Sequence, residues 1–456
     1  MRKILIALVL VTPAQIAFCQ NDSLLKKFKY RIDNYRAIGL NLSGGGQFNQ
    51  IDPAAATIKN SNFSGNLGAW YYTLKSTDRI QLATSAGLYT SFSGGKSDNQ
   101  NVINKDKSFS VLPGASALNK WFSKNMFTEL GASISGNLYS YKTEILNQPA
   151  PQKYNQSQYS IAINMGIGKG RLENVIDMQN ALWLNKVLEA AKSLSRSLTP
   201  EDLNDLGRSI TKATNTRVLD TRKRIQFSLE TVDAYLQQKG LINKTDIAYF
   251  SNLNDILFFA FNNPRLAGAE KFIRLTPAIA GWDNEQKYSN GIDKSVNWNK
   301  NTSLTLSLGL NKYVPSSLTQ QNNYGAFLQL SYTSLKGSIK NFINDILTAE
   351  TKSNSDWKKA AVNLFYTHAI YPNTRTTINF NLQSEIGYQD LDKQSSIYGS
   401  ANLYANATYF ISYRTRLTCA AGAAYQKNSY RINNQYLELN SNRTQLYANV
   451  GVEISL

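Results

Sequence analysis

His368 is the sole histidine of the 456-residue chain, so any serine–histidine–acid relay has to pass through it. It shares parity with Val362, Leu364, Tyr366 and Ile370. A histidine on so apolar a face suits the border between oil and water better than a catalytic dyad. Glu129 and Glu385 are the carboxylates placed to work as a hydrolytic acid pair. They belong to segments far apart in order, and with Arg274 and Arg416 they read more simply as charged lining of a polar interior that tunes ion selectivity. Trp70, Tyr72, Tyr89, Tyr139, Phe365 and Tyr404 share that interior parity with many Ser, Thr, Asn and Gln side chains. Rings among amides and hydroxyls suit sugars and other neutral amphiphiles, while the plainer reading is that they fill a narrow interior.

Two glycine runs resemble phosphate loops only superficially. Gly44 to Gly46 lacks the Lys-Ser/Thr ending of a P-loop, and the Gly166, Gly168, Gly170 series reads as a flexible exit from a strand into a helix. Two cysteines, Cys19 and Cys419, and one histidine exclude a Cys/His zinc cluster. No catalytic, cofactor or metal site is expected, and no enzyme.

What has to position the lining residues is a set of strands. Leu304, Leu306, Leu308 and Leu310 alternate with Ser303, Thr305, Ser307 and Asn311. Ile378, Phe380, Leu382 and Ile386 stand opposite Asn379, Asn381, Gln383 and Glu385. This period of two, one parity apolar and the other polar, marks strands with oil on one face and water on the other. About 14 such segments are counted, at roughly 36–44, 62–75, 79–92, 107–122, 126–142, 157–167, 271–283, 300–313, 323–335, 357–371, 374–389, 397–413, 415–427 and 442–456. Connections after odd segments look long (45–61, 93–106, 143–156, 284–299, 336–356, 428–441) and most after even ones are tight. Inside 336–356, Ile339, Phe342, Ile343, Ile346 and Leu347 stand at helical spacing, which predicts a constricting or rim helix. Beyond the N-terminus no apolar run reaches the roughly 18 residues of a spanning helix, so a membrane role must come from a closed barrel. A soluble sandwich would also alternate polarity but would not sort its loops by length.

Residues 168–268 switch to helical periodicity. Leu172, Val175, Ile176, Met178, Ala181, Leu182, Val187 and Leu188 mark an amphipathic helix; Thr199, Pro200, Glu201 and Asp202 restart one; a third spans about 216–239 and stops at Gly240; a fourth follows Thr245 and ends before Pro264. Loop parity puts this block on the short-turn side. A helical bundle there is favoured over a plug inside the strands.

Arg2, Lys3 and the apolar run Ile4 to Val11 read as a signal peptide over 1–19, with lipidation of Cys19 as the alternative. Net charge is +18, or +16 without Arg2 and Lys3, and residues 168–268 hold 14 basic against 11 acidic side chains, so the basic excess sits on the strands. With export, that charge suits anionic lipid headgroups or a pore rim, and no nucleic acid is expected.

The chain's last segment carries Asn449, Gly451, Ile454 and Leu456, whose spacing resembles the assembly signal on the final strand of Gram-negative outer-membrane β-barrels. With the helical insertion, the chain is similar to barrel proteins of the Bacteroidota. That resemblance implies a transmembrane antiparallel β-barrel in three parts, with strands over 20–167, a helical periplasmic insertion over 168–268 and strands over 269–456. It implies an outer-membrane location, with the lipid bilayer and the barrel-assembly machinery as partners. Two functions follow: a porin-like channel for small polar or amphiphilic solutes, or an envelope anchor whose insertion binds peptidoglycan or a periplasmic protein.

Overall fold

The computed structural model describes residues 21–51, 58–99, 102–145, 148–216, 218, 220–259, 265–391, 394–412, 415–432 and 435–454. The expected signal peptide and Leu456 lie outside them. Fourteen strands follow in order: β1 (Ile32–Ile51), β2 (Ile58–Ser76), β3 (Ile80–Asn99), β4 (Val102–Ser123), β5 (Met126–Ile145), β6 (Gln152–Asn174), β7 (Leu266–Lys287), β8 (Asp293–Ser317), β9 (Gln320–Ile343), β10 (Ile346–Asn373), β11 (Thr376–Leu391), β12 (Gln394–Ser412), β13 (Thr415–Ile432) and β14 (Gln435–Ile454). Each pairs antiparallel with the next in a single sheet. Every alternating segment read from the sequence is one of these strands.

The strands run further than the apolar band requires. β10 has 28 residues and β8 has 25, where about 9–11 suffice to cross a bilayer. The connections expected to be long outer loops are largely strand, because polar side chains on both faces do not prevent backbone pairing in water. The helix expected within 336–356 is instead the tip of the β9–β10 hairpin, with Ile346 paired to Ile343 and Leu347 to Phe342. Asn344 and Asp345 turn it at φ of 52° and 60°, a left-handed pair that Asn and Asp tolerate and that matches strand twist. Gly44 to Gly46 likewise lie within β1, paired to Gly65, Ser64 and Phe63.

Among the described residues β1 and β14 form no ladder with each other, so the sheet is open at that seam and the closed barrel expected from parity is not present as such. Leu40 and Leu42 on β1 and Leu446 and Val450 on β14 are 77–80% exposed, well above Leu304 at 47% mid-sheet. A marginal strand lacks neighbours on one side.

Between β6 and β7 lie four helices, α2 (Ile176–Ala190), α3 (Pro200–Asn215), α4 (Thr221–Gln238) and α5 (Ile247–Phe259), and a helix not foreseen from the sequence, α1 (Asn21–Lys27), joins them. Leu25 of α1 and Phe28 just after it pack with Leu184, Leu188, Leu206, Ile210, Leu236 and Leu253 in one core. Each such side chain contributes about 1.5–3 kcal/mol by leaving water. α3 starts where its cap predicts: the Thr199 hydroxyl accepts from the Asp202 amide and the Asp202 carboxylate accepts from the Thr199 amide. α2 departs from the amphipathic expectation. Every residue from Ile176 to Leu184 is buried, Asp177, Gln179 and Asn180 included, because α3 and α5 pack on it and the strand ends close the rest.

The strand-to-helix exit is later than the glycines suggested. β6 continues to Asn174 and β7 begins at Leu266, with Gly170 (φ 97°) and Gly268 (φ 117°) bending both strands. A Cβ at Gly170 would stand 2.0 Å from the Ala269 carbonyl oxygen, so only glycine fits there.

The helices rest on the sheet end that carries the short turns. Arg265, fully buried, donates to the carbonyl oxygens of Leu318 (2.8 Å) and Gln320 (2.7 Å) at the β8–β9 turn and lies over the Tyr371 ring. Arg375 of the β10–β11 turn bridges Asp255 of α5 at 2.6 Å and covers Phe259. Helix–sheet packing is confined to strand ends such as Ile32, Tyr35, Leu74 and Ala267, the arrangement of a bundle against one end of the sheet.

Candidate functional site

Side chains alternate across each strand, and pairing carries one parity from strand to strand, the register shifting only near strand ends, as between Pro315 and Ser317. One face presents Leu130, Ile134, Ile161, Ile163, Ile273, Leu304 and Leu308, all exposed by 39–53%. The other carries Ser, Thr, Asn, Gln and the charges. Trp70, Tyr72, Tyr89, Glu129, Tyr139, Arg274, Glu385, Tyr404 and Arg416 all fall on this polar face by their ladder positions.

The face has a charged centre near the helical end. Lys120, Glu129, Gly166, Arg274 and Ser307 follow one another across β4 to β8. Gly166 leaves room for Glu129 and Arg274 to meet across β6, since a Cβ there would stand 3.2 Å from Glu129 Oε1, and the Arg274 guanidinium donates to Glu129 at 2.5 and 3.1 Å. Lys120 donates to Glu270 at 2.8 Å and stands 3.9 Å from Glu129. The side chains of Glu129 and Glu270 are only 1% and 5% exposed, so their charges depend on these partners; stripping one partner from a buried pair costs roughly 3–5 kcal/mol.

Rings surround this network. Phe272 and Phe327 lie 6.0 Å apart and Phe327 stacks on Phe365 at 5.9 Å. Arg274 caps the Phe272 ring and Lys120 the Phe127 ring, at 4.6 and 4.8 Å. Several rings lie flat on a neighbouring strand where that strand has no side chain: Phe365 over Gly325, Trp70 over Gly39 and Tyr89 over Gly68. The result is a packed aromatic layer beside the charges.

A second cluster lies in β10–β12, where Glu385 accepts from Lys359 (3.0 Å) and from the Tyr398 hydroxyl (2.6 Å). Glu129 and Glu385 share no partner, so the acid pair raised from sequence is not brought together. Arg416 of β13 stands opposite Phe410 of β12, Tyr139 contacts Tyr154 and Tyr72 contacts Tyr35. His368 lies on the apolar face, its Nδ1 2.8 Å from Asn322 Oδ1, which also accepts from Tyr366. Asn449 and Gly451 stand in β14, paired to Ala420 and Thr418.

Sequence reasoning missed Lys120, Glu270, Phe127, Phe272, Lys359 and Tyr398. Lys120 was within reach: the tight turn at Lys124 and Asn125 sets it directly opposite Glu129. Glu270 fell one residue before the expected start of its strand.

One further titratable group is buried inside the helical subdomain. Desolvation pushes the Asp177 carboxyl from 3.8 to about 7, opposed in part by a hydrogen bond from Thr211. The Thr211 hydroxyl also lies 3.0 Å from the Gly207 carbonyl oxygen and 2.7 Å from Asp177.

Several solved structures match this chain over most of its length, loosely. The translocator domain of autotransporter NalP from Neisseria meningitidis is 8% identical, covering 95% of this chain and 92% of its own, at a TM-score of 0.23. The transport unit of the autotransporter AIDA-I from Escherichia coli is 10% identical, covering 90% and 96%, at 0.26. The CymD monoaromatic hydrocarbon channel is 9% identical, covering 98% and 93%, at 0.22. Superpositions this loose carry no argument of their own. No family model matches the chain, and no curated protein matches it.

Proposed function

We propose that the chain is an outer-membrane β-barrel, closed between β1 and β14, that conducts small polar or amphiphilic solutes along its charged face. The observation that carries this reading is the inversion of the sheet: large apolar side chains stand exposed on one face while Glu129, Glu270 and Ser307 are buried on the other. Such a sheet is at home with hydrocarbon outside and water within. The helical subdomain, at the short-turn end, then faces the periplasm. Lys120 and Arg274 beside Glu129 and Glu270 form the ion-selective part of the path, and no catalytic step is assigned to it.

Reconstitution in planar bilayers tests this. The purified protein is expected to give discrete conductance steps, and Lys120→Gln with Arg274→Gln is expected to move the reversal potential toward cation preference. A folded, inserted protein with no conductance overturns the channel reading.

A further inference from the structure

Five lysines stand in direct register across five neighbouring strands. Lys107 of β4 pairs with Lys142 of β5, Lys142 with Lys153 of β6, Lys153 with Lys287 of β7, and Lys287 with Lys294 of β8. All five belong to the apolar, outward face, at the sheet end opposite the helices. Four strand spacings make the row about 19 Å long. Like charges placed directly opposite one another destabilise a sheet. Two acids relieve part of this repulsion: Glu144 bridges Lys142, and Glu285 lies 3.4 Å from both Lys287 and Lys294. Lys107 and Lys153 make no ion pair among the described residues, and Lys153, exposed in the middle of the row, has a lysine on either side.

A depression of about 280 Å³ lies immediately toward the apolar band from this row. Its floor is polar: the Ser140 hydroxyl bonds Asn155 at 2.8 Å, and Ser157 donates to Asp283. Its lower wall is Phe109 and Leu138, both exposed by half or more and continuous with the outward apolar side chains. Ammonium groups stand above, amides and hydroxyls with the Asp283 and Glu285 carboxylates between, Asp283 bound to Ser157 and Glu285 to Lys287 and Lys294, and hydrocarbon contact lies below.

We propose that this surface binds a phosphorylated glycolipid of the outer leaflet. Its phosphates bridge Lys142, Lys153 and Lys287, its sugar hydroxyls meet the Ser140–Asn155–Ser157 floor, and its acyl chains descend past Phe109 and Leu138. The length of the row fits a headgroup with more than one phosphate on a saccharide, and the floor gives hydroxyls a partner that a simple phosphodiester headgroup would not use. The assignment rests on the membrane-barrel reading above.

The experiment measures lipid retained by the full-length protein in phosphatidylethanolamine nanodiscs doped with lipid A or with phosphatidylglycerol, read by native mass spectrometry. Wild type is expected to retain lipid A over phosphatidylglycerol by about ten-fold. Lys142→Gln/Lys153→Gln/Lys287→Gln is expected to abolish the preference, while Lys169→Gln/Lys271→Gln, the same kind of opposed pair at the helical end, leaves it intact. Equal retention of the two lipids by wild type, or an unchanged preference in the triple variant, overturns the proposal. Flotation with vesicles separates this from the premise: a protein that does not float refutes the barrel reading itself, whereas one that floats without lipid A preference refutes only the lipid site.

Discussion

The helical subdomain and the sheet obey opposite rules of burial. In the subdomain Leu184, Leu188, Leu206 and Ile210 are shielded from solvent completely, whereas in the sheet Ile273 is 49% and Leu304 47% exposed while Gln321 and Glu129 are 2% and 4% exposed. One chain thus carries two solubility programmes. The subdomain buries oil away from water as any soluble bundle does. The sheet buries polar groups and offers its oil to the surroundings, which is favourable only where those surroundings are themselves apolar.

The contrast is broken most directly by truncating a leucine in each region. Leu206→Ala is expected to destabilise the subdomain by about 2–5 kcal/mol, whereas Leu304→Ala in detergent or lipid is expected to cost about 1 kcal/mol or less, since lipid fills the space. Hydrogen exchange over 200–215 and over 300–313 measures the two, and equal losses would refute the two-solvent picture.

Asp177 sharpens the comparison through pH. Its folded-state value of about 7 lies above the ordinary 3.8, so the folded subdomain holds this proton more tightly than the unfolded chain. The burial penalty is absent below about pH 4, grows as pH rises toward 7 and is complete above it. Asp177→Asn is therefore expected to stabilise the subdomain at pH 8 by up to about 4 kcal/mol and to do little at pH 4. Exchange protection of α2 across that range checks the sign; a stability that rose with pH in the wild type would contradict it.

A charge on the apolar face should be punished as it is in lipid. Leu308→Arg is expected to cost about 2–4 kcal/mol in a bilayer, read from urea unfolding out of vesicles, and to be tolerated if that face meets water. The smallest effect belongs to the α3 cap, where Thr199→Ala is expected to remove about 1 kcal/mol and to accelerate exchange at the first turn of α3 alone.

Much of this architecture was legible residue by residue. Leu304 to Leu310 reported one face of β8, the Thr199–Pro200–Asp202 restart reported α3, and the tight turns read at Ser76–Asp78 and Ser123–Asn125 fall within one residue of the observed turns at Thr77–Arg79 and Lys124–Asn125. The candidate lining residues were legible as a face but not as a network: Glu129 gave no sign that it would be shared between Arg274 and Lys120. Residues 336–356 misled because Ile339, Phe342, Ile343 and Ile346 satisfy helical and hairpin patterns alike, and α1 escaped because seven residues are too few to show a period.

What the sequence determined alone was most of what depends on neighbours along the chain: the identity of most strands, the sorting of side chains between faces, the short turns and the cap of α3. These follow from the two-residue repeat of a strand and the 3.6-residue repeat of a helix, both set by local covalent geometry. Tertiary structure alone decided which residue of one strand lies beside which residue of another. Lys153 and Lys287 are 134 positions apart in sequence yet directly paired, and α2 is buried on every side from Ile176 to Leu184 because other elements enclose it. Register between distant segments arises from cooperative backbone pairing and turn closure over the whole sheet, and no local pattern encodes that sum.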